Sequence, residues 1–156
     1  MLLADIRFCT KDHLERLLEI DRSSPYPWLE SVIVRDLVEG DTNVSYLGAF
    51  APVDEDILMG YAVLGDEKGC GLLMNLVVLT EYRRRGIGAQ LVVAVAECAF
   101  DMGFPELVLR VRYLNTAAIA LYRSLGFKAD ATRESYYSNG DAAQYMSARL
   151  PLVFTE

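Results

Sequence analysis

Apolar and polar positions alternate across residues 4–9, ADIRFC, and predict a first strand. An amphipathic helix over about 11–20 follows, capped by Thr10 and carrying His13 on its surface. The stretch DRSSPYPWLE breaks the pattern with two prolines, and a short helix in SVIVRDLVE stops near Gly40. NVSYLGAF and ILMGYAVLG read as the strands of a hairpin joined by the acidic loop APVDED. GLLMNLVVL is almost continuously apolar, the pattern of a strand buried on both faces.

From 87 to 102 the apolar residues Ile87, Leu91, Val95 and Ala99 recur at helical spacing, which predicts a helix packed on a sheet. ELVLRVR is a further strand. A second helix opens at Asn115, a natural N-cap, carries Ala118, Leu121, Tyr122 and Leu125 on one face, and stops at Gly126. Two last strands fall around KADATRESYY and AQYMSARL. No internal repeat is present, and the 156 residues suit one domain over 1–156. The fold class is mixed α/β (α+β), with a middle portion of strand, helix, strand, helix, strand.

Composition narrows the function classes. A formal charge of −7 argues against a general nucleic-acid or anionic-membrane surface. No apolar run is long enough to span a bilayer, and residues 1–8 lack a leader pattern, so the expectation is a cytoplasmic protein. Cys9, Cys70 and Cys98 are far apart and form no Cys-x-x-Cys pair, which favours reduced thiols over redox chemistry. A single histidine excludes a His-rich metal centre, so no metal is expected.

Against that acidity, EYRRRGIGAQL gathers Arg83, Arg84 and Arg85 before a Gly-Ile-Gly turn that opens the long helix. The first amides of a helix have no internal partner, and the helix dipole adds positive potential there. Gly86 and Gly88 leave room for a phosphate to approach the backbone. A dinucleotide fingerprint would want glycine at Leu91, and a Walker loop would want Lys-Ser/Thr at Ala89-Gln90. The turn alone is equally an ordinary strand-to-helix connection with solvated arginines.

A second motif lies one strand downstream. Together, VVLTEYRRRGIGAQL and RVRYLNTAAIALYRSLGF resemble the acetyl-CoA-binding motifs of the GNAT superfamily of N-acetyltransferases. Arg83, Gly86 and Gly88 match its pyrophosphate loop; Asn115, Ala118, Leu121, Tyr122, Gly126 and Phe127 match its second segment. Within the superfamily, SYYSNGDAAQYMSARL and YPWLES are similar to segments of the protein N-terminal acetyltransferases, including the ribosomal-protein alanine type. The resemblance covers nearly the whole chain and implies a twisted mixed sheet of about seven strands flanked by four helices. It implies acetyl-CoA as cosubstrate, held by Arg83, Arg84, Arg85, Gly86, Ile87, Gly88 and Ala89. It also implies that Leu76, Val77 and Val78 pair with the pantetheine arm, and that Asn115 and Tyr122 stand near the thioester. The amine acceptor it implies is a protein N-terminus; Tyr26, Trp28, Glu30, Arg110, Tyr136 and Tyr137 are the candidate residues for binding it.

Acetyl transfer needs a neutral amine, a polarised carbonyl and a proton for the departing thiolate. A backbone N–H of Val77 or Val78 can polarise the carbonyl. Tyr122 lies two helical turns past Asn115 on the same face, and its phenol suits the general acid role. The base is different. The ribosomal-protein enzyme has Leu-Glu-Val-Arg where this chain reads LRVR, so Arg110 stands in place of the glutamate. Arginine accepts no proton at ordinary pH. An α-amine assisted by water, or Tyr136, Tyr137, Glu30 or Asp21 acting through water, remain as routes. Acetylation of a small amine that pairs a carboxylate with Arg110, and a non-catalytic acetyl-CoA-binding domain, are the competing readings. The sequence leaves the oligomeric state open.

Overall fold

The structure, a computed structural model, describes residues 1–40, 43–54, 57–133, 136–137 and 139–153. Seven strands form one sheet in the order β1-β2-β3-β4-β5-β7-β6. They are β1 Asp5–Phe8, β2 Ser45–Phe50, β3 Leu58–Glu67, β4 Cys70–Val78, β5 Glu106–Arg112, β6 Lys128–Arg133 and β7 Ala143–Arg149. Four helices accompany them: α1 Leu14–Arg22, α2 Glu30–Val34, α3 Ile87–Asp101 and α4 Thr116–Ser124. The mixed α/β class holds. Residues 55–56 of the expected APVDED loop and residues 134–135 of the expected strand around KADATRESYY lie outside the described residues.

Among the described residues only the β4–β5 pair is parallel, because α3 crosses between them. Its ladder covers just Gly71–Leu73 against Leu107–Leu109. Beyond that point the two strands have no register partners in each other. A bulge lies beside the fork: Val63 pairs with Asn75 and Leu64 with Leu73, so Met74 is the extra residue on β4. Such a bulge bends its strand and raises the local twist. The sheet therefore opens a gap between the far half of β4 and the far half of β5.

Two apolar clusters flank the sheet. The larger gathers Leu91, Val92 and Val95 of α3 with Leu73, Leu107, Leu109 and Met146, and includes Tyr122 and Phe127. The smaller joins Leu17 and Ile20 of α1 and Ile33 of α2 to Tyr61, Val63 and Val77. The strand buried along its length is β3, from Leu58 to Gly65, rather than β4. On β4, Met74 is exposed and Leu72, Leu76 and Val78 are only half-buried. β3 lies between packed α1 and packed α3, whereas the gap deprives β4 of a neighbour.

The first helix also differs from expectation. Residues Lys11–His13 form a 3-10 turn and α1 starts only at Leu14. Thr10 and His13 build a reciprocal cap, in which the Thr10 amide donates to His13 Nδ1 at 2.9 Å. His13 is thus half-buried, edge-on to Phe50, with a structural task. The α2 helix continues as a π-helical turn over Arg35–Glu39, which carries Asp36 inward to the Tyr46 hydroxyl at 2.8 Å. The three cysteines form no disulfide, and burial pushes the Cys9 thiol up to about 12.

Candidate active site

The Gly-Ile-Gly turn sits at the head of α3, beside the gap. Gly86 is the N-cap of α3 with φ +79, and no side chain caps the helix. Its first-turn amides are therefore open to an anion. Arg84 is also left-handed, with φ +62. Gly88 adopts an ordinary φ, and a Cβ there would meet Leu121 at 3.6 Å and Val78 at 3.9 Å, both normal contacts. Gly88 therefore faces the space between β4 and α4, and the fold itself does not require glycine at that position.

The three arginines are exposed and differ in their attachments. Arg83 Nε donates to the Val78 carbonyl at 3.0 Å, which ties the loop to the end of β4. Arg85 rests over the Tyr82 ring, 5.8 Å from its centre. Ile87 is buried and anchors the turn, while Ala89 packs half-buried at the edge of the large cluster.

On β4 the peptides alternate in direction. The Val77 carbonyl points at β3, 2.8 Å from where a Cβ on Gly60 would sit, and Leu79 N donates to Met59 O on the same side. Val78, whose carbonyl reaches Arg83 instead, faces the gap, and so does Leu76 by the same two-residue period. The Val77 peptide groups point into the β3–β4 ladder. The Leu76 amide donates to Asn75 Oδ1 at 3.0 Å, which leaves Val78 as the uncommitted gap-facing donor of the expected pair.

Asn115 caps α4, its Oδ1 accepting from Ala118 N at 3.2 Å, and is exposed. Tyr122 is buried, 7% exposed, with its ring edge-on to Phe127. Burial, with a smaller contribution from Tyr137, holds its phenol well above the usual tyrosine range, so it stays protonated.

The other expected residues gather on the β5 face next to the gap. Arg110 pairs with Glu67 from the end of β3, and its guanidinium lies over the rings of Tyr145 at 5.0 Å and Tyr136 at 5.8 Å. Its Nε is buried with no hydrogen-bond partner among the described residues. The Glu67 hydrogen bond raises the Arg110 pKa further, so it is a permanent cation. Arg112 is held between Tyr26 at 3.6 Å and Tyr137 at 3.9 Å, and bonds Asp141 and Asn139. Tyr26 comes from the α1–α2 loop and Tyr137 from the β6–β7 loop, so both loops meet over β5.

Glu30 does not join this group. It is exposed and paired with Arg22, which lowers its pKa. Trp28 is half-buried, and its amide donates to Asp21 Oδ2 at 3.0 Å. Asp21 is buried, accepts the Tyr61 hydroxyl at 2.9 Å, and Tyr61 in turn accepts from Asn75 Nδ2 at 3.0 Å. Desolvation raises the Asp21 pKa against these hydrogen bonds. Sequence reasoning missed Glu67, Arg112, Tyr61 and Asn75. Their roles depend on which strands lie side by side, and no local pattern in the sequence marks them.

The model of the Acetyltransferase (GNAT) family matches residues 12–127. The chain belongs to the GNAT acetyltransferases. As a GNAT enzyme it is an N-acetyltransferase that uses acetyl-CoA. It is 32% identical over 116 residues to the [ribosomal protein bS18]-alanine N-acetyltransferase of Salmonella typhimurium, covering 74% of each chain. It is 38% identical over 81 residues to the N-alpha-acetyltransferase of Sulfurisphaera tokodaii, covering 51% of this chain and 48% of that one. The chain thus spans about half the length of that archaeal relative. The crystal structure of the Escherichia coli ribosomal-protein-S18-alanine N-acetyltransferase superposes with a TM-score of 0.81 at 25% identity, covering 96% of this chain and 95% of that one. Among the described residues no helix is long and apolar enough to cross a membrane.

Acetyl-CoA fits the residues present. The uncapped amides at Gly86–Ala89 suit its pyrophosphate, and the gap edge of β4 offers backbone groups to its amide-bearing arm. When bound it supplies the activated acetyl group.

Proposed function

We propose that this GNAT enzyme acetylates the α-amine of a protein or peptide N-terminus. One observation carries the reading: among the described residues, every carboxylate near the β5 face is already paired or buried, and none is placed to act as a base. Arg110 occupies the position expected of one, Glu67 is bound to Arg110, Asp141 to Arg112, Glu30 to Arg22, and Asp21 is buried under Tyr61. Such a site favours an amine that is already partly neutral. At pH 7.5 about a third of α-amines with pKa about 7.8 are neutral, against roughly one in a thousand lysines with pKa about 10.4. Both curated relatives named above carry an N-terminal or alanine acceptor in their names, which agrees with this choice.

In this reading Tyr26, Tyr136 and Tyr137 line the entry for the first residues of the acceptor, with Trp28 behind the loop that carries Tyr26. The Val78 amide aims at the acetyl carbonyl, where a fixed N–H stabilises developing negative charge. A C–N bond forms and a C–S bond breaks. The amine's proton leaves to water, and the Tyr122 phenol donates its own to the departing sulfur. Asn115 keeps α4, and hence Tyr122, oriented through its cap.

The test is turnover with acetyl-CoA on N-terminal peptides, lysine peptides and free amino acids, each followed as a function of pH. The expected result is activity on N-terminal peptides, with kcat/KM rising through the α-amine pKa. A preference for lysine or for a small carboxylate-bearing amine would sink the reading. Acetyl-CoA binding without turnover on any acceptor would leave a binding domain.

A further inference from the structure

The pyrophosphate turn is held from behind by the first residues of the chain, and one side chain of α3 organises the contact. Gln90 accepts from Ala4 N through Oε1 at 2.8 Å, and its Nε2 donates to Leu2 O at 2.7 Å and to Gly86 O at 3.1 Å. The Leu2 amide donates to the Arg85 carbonyl at 3.0 Å. The Met1 side chain lies over Gly86, with Cγ 3.0 Å from the point a Cβ would occupy. Residues 1–4 and the turn are therefore one hydrogen-bonded unit, although 86 positions separate Ala4 from Gln90.

The orientation of one peptide gives this unit its consequence. A trans peptide points its N–H and C=O in opposite directions. With the Arg85 carbonyl held by Leu2, the Gly86 N–H must point away from residues 1–4. Rotation of that peptide would exchange them and turn a carbonyl toward the side where the helix presents its amides. Nothing local prevents the rotation, because glycine at φ +79 accepts either sign of φ. Arg84, one residue before that peptide and left-handed at φ +62, adds a conformation that non-glycine residues avoid.

We infer that Gln90 is a positioning residue for acetyl-CoA: with the Leu2 amide it locks the Arg85–Gly86 peptide so that the turn presents N–H groups, not a carbonyl, to the pyrophosphate. Gln90 touches no part of the cofactor in this scheme. It acts through the backbone it holds, and the gain is preorganisation of the turn. The inference rests on acetyl-CoA as donor and is independent of the acceptor.

Two variants separate this from general support of the fold. Gln90→Met keeps the length of the side chain and removes its three hydrogen bonds. Leu2→Pro deletes the N–H that holds the Arg85 carbonyl, and Leu2→Ala, which keeps that N–H, controls for the packing of the Leu2 side chain on the large cluster. Each is titrated with CoA by calorimetry and with pantetheine, which lacks the pyrophosphate, by NMR. The expected result in both variants is CoA affinity about tenfold weaker, the order of one or two hydrogen bonds, with pantetheine affinity unchanged. Equal losses for both ligands would make the unit merely structural and overturn the inference. Unchanged CoA affinity in Leu2→Pro would overturn it as well, even if Gln90→Met failed to fold. No step of the test requires turnover, so an incorrect acceptor assignment would not disturb it.

Discussion

At the scale of single residues, the proposed chemistry turns on a buried phenol, Tyr122, and a guanidinium, Arg110. Tyr122 keeps its proton because burial disfavours the phenolate, which suits a donor that must be protonated when the thiolate departs. Tyr122→Phe retains the ring against Phe127 and removes the proton. Its kcat should fall about 10²- to 10⁴-fold, the usual range for a general acid, with acetyl-CoA affinity unchanged. Single-turnover rates equal to wild type would make Tyr122 a packing residue. Arg110 invites the opposite experiment. Replacement by glutamate removes the cation and sets a second carboxylate beside Glu67, where like charges push one of the two pKa values up. Arg110→Glu should therefore gain a base and raise kcat/KM for N-terminal peptides most at pH 6–7, where the α-amine is largely protonated. A flat ratio of variant to wild type across that pH range would place the Arg110–Glu67 pair outside the acceptor site.

At the scale of elements, the parts legible in the sequence are those with a local cause. Gly86 before a periodic apolar stripe marked the head of α3, and Asn115 marked that of α4, because caps act on the residues that follow them. The apolar run on β4 was legible as a strand but misread as doubly buried. Its exposure follows from the fork with β5 and the bulge at Met74, and both depend on neighbouring strands. Glu67 had no local signature at all, since it meets Arg110 across an intervening strand. The same split shapes the prediction at the turn. A Cβ at Gly88 meets only ordinary contacts from Leu121 and Val78, so Gly88→Val should still fold, with a melting temperature near that of wild type. It would project branched methyl groups into the space between β4 and α4, so calorimetry should show CoA binding weakened at least tenfold. Wild-type CoA affinity in that variant would move the cofactor away from the turn.

At the scale of the whole molecule, a polar chain crosses the smaller core and connects the α1–α2 loop to the gap. It runs from the Trp28 amide through Asp21, Tyr61 and Asn75 to the Leu76 amide. Each link holds a different element, so the charge state of Asp21 bears on the stability of the assembly. Its carboxyl receives two hydrogen bonds, yet desolvation outweighs them and a contribution from Glu30 adds to it, so the folded pKa lies above the ordinary value of 3.8. The sign follows from linkage: the folded state then binds a proton that the unfolded state has released. Whatever stability Asp21 contributes is fully present below 3.8 and declines as pH rises through the folded pKa. Asp21→Asn cannot ionise and carries no such decline, although its amide must leave one of the two donors poorly matched at every pH. Urea denaturation of both proteins from pH 4 to 7 should therefore show wild type losing stability relative to Asp21→Asn as pH rises, with the mismatch only offsetting the two curves. A relative gain by wild type would mean that Tyr61 and the Trp28 amide overcome desolvation. The chain from the α1–α2 loop to the gap would then be a carboxylate-stabilised frame, strongest at the neutral pH where acetyl transfer runs.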